Sequence, residues 1–168
     1  MEKMLEPMMS EIHQEAAITK RILERVPADK ISWRPHPKSM SLGQLALHIA
    51  AVPGTISQLA QRDGLDTAEA NFNPPDPTDA KEILATLDAG VKAAEEYLGT
   101  VSDSAVMETW RLTSKGKEVL AIPRVELLRT VMLNHWYHHR GQLSVYLRLL
   151  DVPVPVIYGR SADENPFA

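Results

Sequence analysis

Two histidines near the end of the chain have the spacing of metal ligands. His135 and His139 lie four residues apart in the segment 134–143, NHWYHHRGQL. On a helix, residues four apart lie one above the other on the same face, with roughly 5 to 6 Å between their Cβ atoms. Two imidazoles so placed can reach one small ion such as Zn²⁺, and a catalytic zinc site leaves a position open for water or substrate. The pair predicts half of a metal site, and a further ligand must come from elsewhere.

Both histidines fall within the apolar stripe of a helix predicted over 123–150. At about 100° per residue, Leu128, Met132 and Tyr146 share their face, and Gln142 joins them. Polar groups in the middle of a buried face cost stability unless they are paired or bound to a ligand. The placement therefore favours metal ligation, with a pair of water-exposed histidines on the helix surface as the alternative.

The other polar residues of this helix are expected to lie away from its buried face. His138 falls at the edge of the apolar stripe, and Tyr137 falls on the outer side. The arginines on the outer half of the helix are Arg129, Arg140 and Arg148. Charged residues in such positions usually form a solvated face or one that meets a second subunit.

Composition limits the classes of function that the chain can have. Its 168 residues suit one ordinary domain, and 44% hydrophobic with 24% charged residues is typical of a soluble globular protein. A formal net charge of -4 gives no general attraction to nucleic acid or anionic lipid, so neither is expected as a partner. The absence of cysteine excludes thiolate ligands and a cysteine nucleophile. Without an apolar run typical of a signal peptide or membrane span, a cytoplasmic location is expected.

Four segments in which apolar side chains recur at threes and fours predict four helices. They cover 5–26, 41–62, 78–101 and 123–150. Amphipathic helices of these lengths pack as up-and-down bundles. The predicted fold class is therefore all-α, a four-helix bundle.

Local signals refine this prediction at two places. Ser41, three residues before Gln44, predicts a capping box at the start of the second helix, and Pro53 with Gly54 is expected to interrupt and kink that helix. Alternating residues in 106–122, with SKGK as a turn, predict a short hairpin or extended loop before the fourth helix. An α+β domain in which 110–122 forms a real sheet is the alternative.

A histidine on the second helix extends the pattern. His48 lies midway along that helix in the sequence LALHIA, beside the predicted core. With His135 and His139 of the HWYHHRGQ string on the fourth helix, it resembles the motif of the DinB superfamily. The loop 33–37 and the tail 146–159 are also similar to those of DinB proteins, so the resemblance spans nearly the whole chain.

The resemblance implies a single domain over 1–168 with the DinB/YfiT type of four-helix bundle and a divalent metal ion, zinc or nickel. The residues that it assigns as metal ligands are His48, His135 and His139. It leaves coordination positions open for water and implies no organic cofactor. No catalytic residue beyond the ligands is identified, and the candidates for lining the pocket are Gln142, Tyr146 and Tyr158.

The same resemblance implies a metal-dependent enzyme. Some members of the superfamily use small thiols, and in a chain without cysteine the thiol must be a separate molecule. We therefore expect the transfer of a low-molecular-weight thiol to a small electrophile. The alternatives are a metal-dependent hydrolase and a non-catalytic, stress-related protein that binds a metal or a small molecule.

Self-association is a further expectation. Trp136 and the outer arginines of the fourth helix are of the types enriched at interfaces. Together with the resemblance to the DinB superfamily, they predict a homodimer.

Overall fold

Four long helical segments form a bundle, as predicted. The structure is a computed structural model that describes residues 4–71 and 73–167. The first three long helices are α1 (Glu6–Leu23), α2 (Leu42–Ala60) and α3 (Ala80–Thr100), and a short helix, α4 (Asp103–Val106), follows. The last segment runs through α5 (Arg124–Leu127), a π-helical segment (Leu128–Asn134) and α6 (His135–Leu149). None of the helices in the described residues is long and apolar enough to cross a bilayer.

A three-stranded sheet shows that the all-α prediction was only approximate. Its strands are β1 (Gly64–Asp66), β2 (Thr109–Ser114) and β3 (Lys117–Pro123), in the order β1-β2-β3. The hairpin of β2 and β3 was predicted, and its two-residue turn has positive φ at Lys115 (51°) and Gly116 (73°), as a type I′ turn requires. β1, which pairs parallel to β2, was missed because three residues are too few to show alternation.

α2 lies at the centre of the bundle and begins as predicted. The Ser41 hydroxyl accepts the backbone N–H of Gln44 at 3.0 Å, and the Gln44 amide oxygen accepts the N–H of Ser41 at 2.9 Å. The expected interruption at Pro53 was wrong, since α2 is helical throughout. Gly54 packs so closely on α3 that a Cβ there would lie 2.8 Å from the Cα of Gly90. Packing of this nearly buried helix therefore outweighs the hydrogen bond that proline removes.

The π-helical segment changes which residues of the last helix face the core. A π-helix holds more residues per turn than an α-helix, so the stripe predicted from a uniform rotation is shifted after Asn134. The buried residues of α6 are Trp136, Arg140, Leu143 and Leu147. The predictions that Trp136 contributes to a subunit interface and that Arg140 lies on the outer surface were therefore wrong, since their exposed fractions are 0% and 1%.

The candidate metal centre

Three histidine side chains converge between α2 and α6. The Nε2 atom of His135 lies 3.2 Å from that of His48 and 2.7 Å from that of His139. The ligand atoms of all three lie within 4.8 Å of one another. His48 comes from the middle of α2, while His135 and His139 occupy successive turns of α6. The structure thus brings together the three residues that the sequence pointed to.

The two histidines of α6 sit at the edge of its buried stripe and not at its centre. Both are half-buried. The backbone N–H of His135 donates to the carbonyl of Met132, at the end of the π-helical segment. The carbonyl of Val131, which would accept that N–H in a regular α-helix, contacts the ring Nδ1 of His135 at 3.3 Å. The irregular turn thus supplies a backbone acceptor that orients this ring.

Hydrogen bonds to Nδ1 determine which ring nitrogens can bind a cation. The Nδ1–H of His135 donates to the Val131 carbonyl, and the Nδ1–H of His139 donates to the amide oxygen of Gln142 at 2.8 Å. In the neutral rings both Nε2 atoms then carry lone pairs, and these face each other at 2.7 Å. Two lone pairs at that distance repel, and a cation between them removes the repulsion.

The spacing of the nitrogens also suits a metal ion. Donors about 2.0 to 2.1 Å from a tetrahedral zinc ion stand about 3.3 Å apart. The Nε2 atoms of His48 and His135 lie 3.2 Å apart, so a small adjustment of His139 would place all three around one ion. The donor set and its geometry therefore fit a divalent metal.

Burial keeps these imidazoles neutral. Desolvation, with smaller effects of His139 and His135, lowers the pKa of His48 to about 4. Desolvation is also the largest cause of the lowered pKa of His135 and His139, although the hydrogen bonds that their Nδ1–H groups donate to Val131 and Gln142 act in the opposite direction. At neutral pH the rings therefore offer lone pairs without first losing a proton, as metal binding requires.

The cluster opens into a cavity of about 310 Å³. Apart from the three histidines, its lining residues are Met40, Asn71 and Pro74. The amide of Gln44 donates to the Pro74 carbonyl at 3.3 Å, and the Tyr146 hydroxyl donates to the Met40 carbonyl at 3.3 Å. The walls on both sides are thus held by hydrogen bonds to α2 and α6. Within the described parts of the chain, no fourth histidine and no carboxylate joins the cluster.

The fold agrees with the comparisons to known proteins. A family model described as DinB family matches residues 1–165. The chain belongs to the DinB family. Over 151 residues it is 28% identical to the uncharacterized protein YrdA of Bacillus subtilis (strain 168). The match covers 89% of this chain and 85% of YrdA.

Solved structures of other DinB-like proteins share the fold. One from Bacillus cereus ATCC 10987 has a TM-score of 0.67 and 24% identity, and the match covers 89% of this chain and 94% of that one. The YjoA protein of Bacillus subtilis has a TM-score of 0.68 and 20% identity over 90% of this chain and 98% of its own. At such identities the likeness concerns the fold alone.

The remaining histidines of this DinB protein lie outside the cluster. His138 is exposed, and its Nε2 accepts a hydrogen bond from the Gln142 amide at 3.1 Å. His13 pairs with Glu95 at 2.7 Å on the outside of α1 and α3. His36 lies in an exposed loop, where its Nδ1 accepts the backbone N–H of Lys38. The prediction that His138 lies at the edge of the site and not among the ligands agrees with this placement.

The residues proposed to line the pocket have other positions. Tyr146 holds the wall at Met40, and its ring meets that of Trp33 edge-on at 5.8 Å between centroids. Gln142 contacts His139 from outside, and Tyr158 belongs to a different cluster around Arg140. The wall residues Met40, Asn71 and Pro74 were missed. Met40 lies in the connection before α2, the other two lie in the connection before α3, and only tertiary structure brings these connections to the same site.

The residue after His139 points into a separate polar cluster. Arg140 pairs with Glu15 of α1 at 2.5 Å, donates to the Thr19 hydroxyl at 3.0 Å and contacts the Tyr158 hydroxyl. Its guanidinium lies 5.2 Å from the ring centroid of Tyr137 and 5.0 Å from that of Tyr158, within cation–π range. The arginine of the HRGQ string thus fastens α6 to α1 and to the C-terminal tail.

Proposed function

We propose that this DinB protein holds one divalent metal ion through His48, His135 and His139 and transfers a small external thiol to an electrophile. The observation that carries the proposal is the convergence of three neutral imidazole nitrogens on the wall of an open cavity. A structural zinc site has four protein ligands, whereas a catalytic one has three and an open position. Three ligands beside a cavity favour the catalytic type.

The charge of the site supports the thiol as nucleophile. Three neutral imidazoles leave the two positive charges of a bound metal uncompensated. When bound, such an ion acts as a Lewis acid that favours the deprotonated form of water or of a thiol. The chain has no cysteine of its own, so the sulfur must come from a separate molecule.

The residues of the cavity have a definite task in this reaction. Met40 and Pro74 provide apolar walls, and the Asn71 amide can orient a polar group of the electrophile. A cavity of about 310 Å³ suits two small reactants held in contact. The sulfur–hydrogen bond breaks and a sulfur–carbon bond forms. In an addition, a π bond of the electrophile opens and the product takes up the thiol proton; in a substitution, a leaving group departs with the bonding electrons, and it and the proton pass through the open mouth of the cavity to solvent.

The nature of the ligands narrows the choice of metal. Imidazole suits zinc, nickel, copper and iron, whereas magnesium and calcium prefer oxygen. We propose zinc or nickel, in line with the pattern from which the site was predicted.

The proposal is tested by elemental analysis of untagged protein, followed by a screen of electrophiles with each low-molecular-weight thiol. One zinc or nickel per chain and turnover that requires both metal and thiol are expected. His135→Ala should lose both, while His138→Ala, an exposed histidine three residues away, is the matched control and should keep both. Metal-dependent turnover with water alone would favour the hydrolase. Bound metal without turnover across the panel would favour a non-catalytic role.

The homodimer stays a prediction, but the residues proposed to form its interface change. Trp136 and Arg140 are buried within the chain and cannot anchor an interface. Val145 and Leu149, one turn apart on α6, are 57% and 58% exposed and provide an apolar strip in their place. A dimer in sedimentation velocity at micromolar concentration, reduced by Val145→Glu, would agree with it, and a monomer would exclude it.

A further inference from the structure

Gln142 connects two histidines of α6, only one of which belongs to the candidate metal centre. Its amide oxygen lies 2.8 Å from Nδ1 of His139, and its amide nitrogen lies 3.1 Å from Nε2 of His138. Gln142 itself is exposed and does not line the cavity. Its side chain therefore touches the cluster only through the back of the His139 ring.

The chemistry of the amide gives both contacts a direction. An amide oxygen only accepts and an amide nitrogen only donates, so His139 must carry its proton on Nδ1, and the Nε2 of His138 must be the acceptor. The Nε2 of His139 then bears a lone pair, and this atom faces His135 at 2.7 Å. His138 holds the amide in the orientation that presents oxygen to His139.

The other α6 ligand obtains the same tautomer by different means. Nδ1 of His135 is bound by the backbone carbonyl of Val131, which no substitution removes. His139 depends on a side chain, so its tautomer can be changed by mutation.

We propose that Gln142 is a positioning residue that selects the metal-binding tautomer of His139. The inference rests on the proposed metal site, but the tautomer itself is a property of the metal-free protein. Partners that bind the second nitrogen of a ligating histidine orient the ring and raise its basicity, and their loss weakens metal binding about 10- to 100-fold.

The test compares Gln142→Leu, which has no acceptor, with Gln142→Glu, which keeps one. Long-range ¹H–¹⁵N correlation spectra of metal-free protein, at about pH 8 where imidazoles are neutral, report the ring nitrogen that carries the proton. Wild type and Gln142→Glu should have Nδ1–H at His139, and Gln142→Leu should show Nε2–H or a mixture. The tautomer of His135 serves as an internal control and should not change.

Zinc affinity, measured by competition with a chromophoric chelator, gives the second readout. Gln142→Leu should bind about 10- to 100-fold more weakly, and Gln142→Glu should bind at least as tightly as wild type, because a carboxylate is the stronger acceptor. Thermal midpoints of the metal-free variants should match that of wild type, since residue 142 is exposed. This separates a positioning role from a loss of folding.

The outcomes distinguish the inference from the proposed function. If His139 keeps Nδ1–H in Gln142→Leu, or if that variant binds zinc as tightly as wild type, the role of Gln142 is overturned. If wild-type protein binds no zinc at all while the tautomers behave as expected, the proposed metal site fails and the hydrogen-bond assignment stands.

Discussion

His139 and Arg140 are neighbours on α6, yet their surroundings differ in one essential respect. The Nε2 of His139 faces another imidazole lone pair beside a cavity, and no protein donor in the described chain satisfies it. Arg140 is 1% exposed, and the carboxylate of Glu15 balances its charge at 2.5 Å. The polar groups on the Arg140 side of the helix are satisfied by the protein itself, whereas the His139 side lacks a partner that a bound cation would supply.

The difference separates two kinds of polar group within a bundle. A buried charge with its partners holds helices together, and the protein loses stability when one partner is removed. A cluster of neutral bases with facing lone pairs contributes little to the stability of the metal-free fold and becomes favourable when a cation enters. Substitutions on the two sides should therefore change different observables.

The largest effect is expected for the ligands of α6. His135→Ala or His139→Ala should abolish stoichiometric metal, weakening affinity by more than about 100-fold, because two imidazoles form only half of a site. The melting temperature of the metal-free protein should stay equal or rise, since a desolvated ring is removed. Metal content after dialysis and calorimetry check the two parts. A large loss of metal-free stability would mean that the histidines form a structural network.

The second effect concerns stability on the opposite side of the helix. Arg140→Met should lower the free energy of unfolding by about 3 to 5 kcal/mol, because it leaves the Glu15 carboxylate buried without its partner. Arg148→Met is the matched control, since its ion pair with Asp163 lies at the surface, where solvent screens it, and its loss should change the stability far less. Urea unfolding of metal-free protein measures both. Equal losses for the two variants would contradict the contrast.

His48 predicts a pH dependence of the metal-free protein. Its pKa is about 4 in the folded state against an ordinary histidine pKa of about 6.5, so the unfolded chain takes up the proton first. The resulting loss of folding stability is absent above about pH 6.5 and grows as the pH falls towards about 4. Urea unfolding over this window should show a steeper loss of stability for wild type than for His48→Gln. Identical slopes would show that His48 is not held neutral by burial.

The smallest effect is expected for His138. It lies outside the cluster and acts only on the orientation of the Gln142 amide, so His138→Ala should weaken zinc binding by less than about tenfold. Chelator competition measures the change. A complete loss of metal in this variant would instead make His138 a ligand.

The features that sequence could predict are those governed by local periodicity and capping. The heptad-like spacing gave the four helices, Ser41 with Gln44 gave the start of α2, and the alternation after Thr109 gave the hairpin. The three histidines were identified through spacing on α6 and a family pattern for His48.

The features that were missed depend on irregular backbone or on distant contacts. The π-helical segment Leu128–Asn134 shifts the phase of α6, and no simple residue pattern announces it. This is why Arg140 was assigned to the surface although it pairs with Glu15, 125 residues earlier in the chain. The wall formed by Asn71 and Pro74 likewise depends on tertiary hydrogen bonds such as that from Gln44.

X-ray absorption of the zinc-loaded protein, with and without a small thiol, tests the central claim most directly. We predict three imidazole nitrogens at about 2.0 to 2.1 Å with an oxygen donor from solvent, and replacement of that oxygen by sulfur at about 2.3 Å when thiol is added. A spectrum with four protein ligands that does not change with thiol, or a protein that retains no zinc, would contradict an open tri-histidine site.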